Sequence, residues 1–282
     1  MKANYGHPGE CKLCGEFKKL TFEHVPPEKS FNHFPVKEFS LSDSMDLMTG
    51  NTGRYPWQTE GLKYKINQKG SGGYYLCESC NNNTGSWYIE EYTKLTSTLH
   101  YMIVTHKPEI NSSCGFILDN LHPLRIYKAL LTMFCDINNN CFGDDNLRRF
   151  LLEKESNTLE GNKYSLYLFL VAPGMRRING VTVHGDITQI NSMVTQTEIS
   201  SYPLGAVLCL DKPENVRVPG ICIDNFKNCN YNDVCSVEFN GMPYFEINSY
   251  FPGDYRSKNE IILCREETEE WSKKQCLNKH HQ

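Results

Sequence analysis

Hydrophobic positions change period along this chain, and the change divides it. From about residue 81 to Val104, Trp87, Tyr88, Tyr92, Leu95 and Leu99 recur at spacings of one helical face, which predicts a helix. His122-Pro123 opens a second, carrying Leu124, Ile126, Tyr127, Leu130, Leu131 and Phe134, and Asp144-Asp145 opens a third with Leu147, Phe150 and Leu151 inward. After Gly161 the pattern shortens to that of strands. Residues 164–171 form an almost unbroken apolar run, as a buried strand would. Residues 187–194, 204–210, 234–239, 245–248 and 261–264 read as further strands, parted by the turn pairs Pro173-Gly174, Asn179-Gly180 and Pro219-Gly220. A last helix is predicted over 266–277. Near the N-terminus, residues 15–25 suggest a short hairpin and 74–76 a strand, while 32–73 is a long insertion without a regular pattern.

Helices followed by a mainly antiparallel sheet imply an α+β fold. The pattern suggests a first unit over 1–110 and a second over 111–282. With 39% hydrophobic and 22% charged residues in 282, the chain reads as globular. It contains no apolar stretch of the length that crosses a membrane and no signal-peptide core at its polar start, so a cytoplasmic location is expected.

Net charge is −4, and no Lys/Arg run exceeds two residues. A protein that holds duplex DNA through a basic stripe is therefore not expected. A small nuclease is compatible with this balance if a divalent ion supplies local positive charge, or if binding uses an oligomer or an activating partner. Arg125, Lys128, Arg148, Arg149, Arg176 and Arg177 are candidates for a phosphate-binding face.

Thirteen cysteines without a secretory signal favour reduced thiols and metal over disulfides. Cys11-Lys12-Leu13-Cys14 and Cys77-Glu78-Ser79-Cys80 are two CxxC knuckles, and four thiolates in this arrangement are the usual ligands of a structural zinc. A zinc closed by four sulfurs has no open position for chemistry. Cys229 and Cys235 are spaced loosely enough for a second metal, although small buried or loop thiols explain them better. Trp87, Tyr88 and Tyr92 are better explained as helix core than as a stacking platform.

Between the knuckles lies Glu23-His24-Val25-Pro26-Pro27, and Asn81-Asn82-Asn83-Thr84-Gly85 follows directly after the second. Together these residues resemble the zinc-stabilised form of the HNH, or ββα-metal, endonucleases. The strings from Cys80 to Gly85 and from Ile247 to Arg256 extend the likeness to a family of uncharacterised bacterial HNH-like proteins. The resemblance implies a zinc-clamped ββα module, phosphodiester hydrolysis with DNA as the preferred substrate, and a setting such as phage or plasmid defence. It assigns His24 as general base, Glu23 and Asn81 as ligands of a catalytic Mg²⁺ or Mn²⁺, and Asn83 as an alternative ligand. Asn82, like Asn83, is an alternative ligand or a phosphate contact at the helix start, and Thr84 is a candidate helix cap. The segment from Tyr250 to Arg256 reads as a structured loop closing the sheet with Asp254 and Arg256 paired, the alternative being substrate recognition by Arg256 and the two tyrosines.

The chemistry suits these groups. A neutral imidazole accepts a water proton near neutral pH, and a hard divalent ion bound by oxygen stabilises the departing alkoxide. The likeness is incomplete. The family's middle Asn falls at Gly72, with Asn67 as a substitute, and a further helix ligand falls at Gly85. A zinc-stabilised module that binds nucleic acid or protein without cutting is the competing expectation.

Overall fold

The computed structural model describes residues 7–39, 54–185 and 193–279. The order is β1 (His7–Glu10), β2 (Phe17–His24), β3 (Val36–Glu38), β4 (Lys65–Asn67), β5 (Gly72–Cys77), α1 (Glu78–Thr84), α2 (Glu90–His106) and β6 (Ser113–Leu121). It continues with α3 (Pro123–Ile137), α4 (Asp145–Leu152), β7 (Tyr164–Val171), β8 (Arg177–His184), β9 (Val194–Ser201) and β10 (Leu204–Leu210). The chain ends in β11 (Ile221–Cys222), β12 (Cys235–Phe245) and α5 (Lys258–Lys279). A π-turn over Gly85–Ile89 joins α1 to α2. The fold is α+β, as expected, with a mostly antiparallel sheet.

Three sheets form. β1, β2 and β5 make a three-stranded sheet, β3 and β4 a small pair, and the main sheet runs β6-β12-β7-β10-β9-β8 with β11 beside β7. Only the short β12–β7 contact, Tyr244 with Leu170 and Phe245 with Val171, is parallel. β7 and β10 sit at the centre, and the side chains of both are buried along most of their length, which explains the unbroken apolar runs.

α3 is the hub. From Ile126 to Asp136 it is buried on every side, and it packs on α2, on β5 and on β8 and β9. One hydrophobic cluster runs from Cys11 through Tyr88, Tyr127 and Phe134 to Tyr244, so side chains from both sides of residue 110 share a core. Tyr88 and Tyr92 lie in it, as the helix-core expectation held. Tyr88 also donates to the Leu151 carbonyl at 3.0 Å. Lys128 is fully buried and donates to the carbonyls of Phe150, Glu153 and Lys154, the open acceptors at the end of α4.

Several expected elements are corrected. The strand expected over 261–264 is helical, because α5 begins at Lys258. Ser257 and Glu260 form a reciprocal cap there: Ser257 N–H donates to the Glu260 carboxylate at 2.7 Å, and Glu260 N–H to Ser257 Oγ at 3.3 Å. Residues 246–248 lie beyond the end of β12, and most of the strand expected over 187–194 lies outside the described residues. Asn179-Gly180 is not a turn but a bulge inside β8, where Asn138 Oδ1 accepts from Val181 N–H at 2.8 Å. α1 starts at once after Cys77, so Thr84 is no cap; it is buried and donates to Cys80 O at 2.9 Å.

Candidate functional site: a four-cysteine cluster and the strand pair it clamps

The two knuckles converge because β2 pairs with β5 and the chain around Cys11 bonds to both. Cys11 N–H donates to Glu16 O, Lys12 N–H to Tyr75 O, and Gly15 closes the knuckle turn at φ +74°. The ligand atoms of Cys11, Cys14, Cys77 and Cys80 all lie within 4.8 Å of one another. Zinc with sulfur at about 2.3 Å makes a tetrahedron with edges of about 3.8 Å, and Cys14 Sγ lies 3.9 Å from Cys77 Sγ. Cys77 N–H donates to Cys11 Sγ at 3.3 Å, the kind of backbone bond that stabilises a thiolate. The hydrogen bond from Cys80 lowers the Cys11 thiol to about 4 and pushes Cys80 up. The cluster could therefore hold a metal such as zinc. Among the described residues it is the one group of three or more His, Cys, Asp and Glu side chains placed to do so. Cys229 and Cys235 do not join such a group.

β2 carries the sequence-predicted residues past this clamp. Its alternation places Thr21 and Glu23 on one face and Phe22 and His24 on the other. The inner face lies under α1 and α3. Asn81 Nδ2 donates to Thr21 Oγ1 at 2.9 Å, and Thr21 Oγ1 donates to Leu76 O at 3.0 Å. Burial raises the Glu23 carboxyl to about 7. Asp136 of α3, 2% exposed, is also pushed up by burial and then by the Glu23 charge, and its Oδ1 has no hydrogen-bond partner among the described residues. Sequence reasoning missed Asp136, because nothing in an apolar helix marks which polar residue faces a neighbouring strand.

The outer face holds His24. Its Nε2 lies 2.9 Å from Lys69 O, and its ring meets Phe22 edge-on at 5.0 Å. The loop that supplies this carbonyl is pinned by Asn32, which is fully buried. Asn32 Nδ2 donates to the carbonyls of Pro26 and Ser71, and Oδ1 accepts from Ser71 N–H at 2.8 Å. Gly70 passes so close, at φ +89°, that a Cβ there would stand 2.1 Å from Asn32 O. Arg176 then donates to Asn32 Oδ1 and to Phe31 O. Asn32 bridges the two chain segments that flank the β2–β5 pair, a role invisible in a sequence that offers many asparagines.

The other expected residues lie apart. Asn82 and Asn83 are exposed on α1. Asn67 donates to Glu38 Oε1 at 3.4 Å and accepts from Lys69 N–H. Arg256 is held by both carboxylate oxygens of Asp254 at 2.8 Å. The basic face does not assemble: Lys128 and Arg177 are buried, Arg125 binds Tyr231 O and Asn232, Arg148 pairs with Asp145, Arg176 serves Asn32, and of the six Arg149 alone is exposed. Among the described residues, no helix is long and apolar enough to cross a membrane. Compared with known proteins, the chain matches no family model, no curated protein and no solved structure.

Proposed function

We propose that this protein is a metal-dependent nuclease of the HNH type, with zinc in the four-cysteine cluster and His24 as general base. The observation that carries the reading is the bond between His24 Nε2 and Lys69 O. A carbonyl oxygen only accepts, so in the neutral ring Nε2 holds the proton and Nδ1 keeps its lone pair. That is the tautomer a base needs, and it is fixed by backbone rather than by a side chain that titrates. Nδ1 has no partner among the described residues, so it is open to a water.

The strand-strand-helix order of β2, β5 and α1 agrees with the resemblance, as does Asn81 on the first turns of the helix. The catalytic ion, Mg²⁺ or Mn²⁺, would be held by Glu23, with Asn81 or Asn83 as a second oxygen donor and substrate oxygens completing the shell. It would supply charge stabilisation at the leaving oxygen. DNA is the preferred substrate, and defence against invading DNA is the context that the resemblance suggests.

One observation favours a second reading, a zinc-stabilised module that binds nucleic acid or protein without cutting. Glu23 and His24 stand on opposite faces of β2, so ion and base meet only if the substrate reaches around the end of the strand.

Cleavage of plasmid and single-stranded DNA by wild-type and His24→Ala protein, both checked for zinc, separates the two. Cutting that needs Mg²⁺ or Mn²⁺ and is lost in the variant, by about 100-fold or more, supports the nuclease. Absence of cutting by zinc-loaded wild type leaves the binding module.

A further inference from the structure

The outer face of the three-stranded sheet carries an aromatic ladder that the core does not use. Alternation and register bring His7 of β1, Phe22 and His24 of β2, and Tyr74 of β5 to one surface. His7 meets Tyr74 at 4.3 Å and 72°, Tyr74 meets Phe22 at 5.6 Å and 84°, and Phe22 meets His24 at 5.0 Å and 78°. Every contact is edge-on, so the rings are braced by one another and not stacked face to face. His7 and Tyr74 are exposed, and Phe22 and His24 are half-buried.

Cations border this ladder. Lys69 Nζ sits 5.9 Å from the Phe22 ring centroid, in an exposed position, and Lys18 alternates onto the same face, where Glu16 pairs with it. Of the strand residues that alternate onto this surface, His7, Gly9, Lys18, Phe22, His24, Gly72 and Tyr74 reach solvent and include no carboxylate, Leu20 is buried in the core, and Glu16, which precedes β2, is the acid paired with Lys18. The acid of this strand, Glu23, points inward. An anion with flat apolar rings fits such a surface, and a nucleotide strand is that kind of ligand.

We propose that the His7–Tyr74–Phe22–His24 face binds single-stranded nucleic acid, with bases on Tyr74 and Phe22 and the backbone beside Lys69. Two features specify a single strand. Paired bases in a duplex do not present their faces to side chains, and the chain as a whole, at −4, lacks the basic stripe that holds a duplex. This deepens the nucleic-acid reading above, because the bound strand runs past the open Nδ1 of His24.

The test is binding without cutting. Fluorescence anisotropy of a labelled 20-nucleotide oligo(dT), and of a duplex of equal length, is followed with full-length zinc-loaded protein in the absence of added Mg²⁺ or Mn²⁺. The single strand is expected to bind more tightly than the duplex. Tyr74→Ala should weaken it by about 5- to 100-fold, the loss of one stacked base, and Tyr74→Phe should restore it. Lys69→Gln should reduce the salt slope by about 0.7, one phosphate contact on a single strand. Tyr101→Ala, an exposed ring on α2, should change nothing. Tighter binding to duplex, binding indifferent to Tyr74→Ala, or a change of oligomeric state in Tyr74→Ala without a change in binding would each overturn the proposal, the last by making the face a contact between copies. Binding with these features but no cleavage under any metal sinks the nuclease and leaves this face standing. Metal-dependent, His24-dependent cleavage with Tyr74→Ala binding unchanged does the reverse.

Discussion

At the scale of single residues, neighbours just out of reach in sequence decide what each group can do. His24 is adjacent to Glu23, yet strand alternation gives them different surroundings. Glu23 is desolvated, and burial raises its carboxyl from 4.5 to about 7. Between these values the folded protein holds a proton that the unfolded chain has lost. Its stabilising contribution is therefore complete below about pH 4.5 and disappears as pH rises through 7. Glu23→Gln keeps the shape without the charge. Its melting temperature should match wild type at pH 4 and exceed it by on the order of 2–4 °C at pH 8. Thermal unfolding at both pH values decides this, and a constant difference would mean that Glu23 is ionised throughout. Motif spacing made Glu23 and His24 visible. The carbonyl of Lys69 and the buried Asp136 were not visible, because each depends on a contact made across the fold.

At the scale of elements, the clamp and the helix caps show two kinds of legibility. The knuckles are local in sequence, and their CxxC spacing announces a metal. Four sulfurs meet only because β2 pairs with β5 and brings Leu20 opposite Cys77. Cys14→Ser should lower zinc to well under one ion per chain and disorder the strand pair with it, since the metal's binding energy is folding energy for so small a sheet. Zinc content by mass spectrometry and amide exchange of 7–24 and 72–84 test this. Retention of one zinc and full protection would show that three sulfurs suffice. In α5 the reverse happened. An apolar run, Ile261-Ile262-Leu263, suggested a strand, but the Ser257–Glu260 cap starts a helix three residues earlier. The cap was present in the sequence as Ser-x-x-Glu, and a short apolar run cannot by itself separate helix from strand.

For the whole molecule, buried polar pairs join the distant segments. Arg177 of β8 and Glu198 of β9 lie together in the sheet, 2.9 Å apart at Nε and Oε1. Arg177 also donates to the carbonyls of Ser249 and Asp254 at 2.9 Å, and Glu198 Oε2 accepts from Gly253 N–H at 3.0 Å. The loop before α5 is thus a strap across β8 and β9, the structured loop with Asp254 and Arg256 paired that the sequence suggests. Glu198→Ala leaves an uncompensated guanidinium and should cost about 3–5 kcal/mol. Denaturant unfolding measures it, and a loss below about 1 kcal/mol would show that water replaces the carboxylate. Replacing both residues together by apolar ones should cost less than the single change, because no orphan charge remains.

The sequence by itself determined the helices α2, α3 and α4, the central strands β7 and β10, and the identity of the four sulfurs that cluster. Each of these rests on periodicity or spacing within a short window, where side-chain burial and ligand geometry repeat at the period of the element. Only the tertiary structure decided which face His24 occupies, which carbonyl fixes its proton, that Asn32 pins the loop beside it, and that Lys128 and Arg177 are buried. Those outcomes depend on pairings across many residues, among them Asn32 with Ser71, Arg176 with Asn32 and His24 with Lys69. The physical reason is that hydrogen bonds and desolvation act through space, and no local pattern records which distant group will arrive.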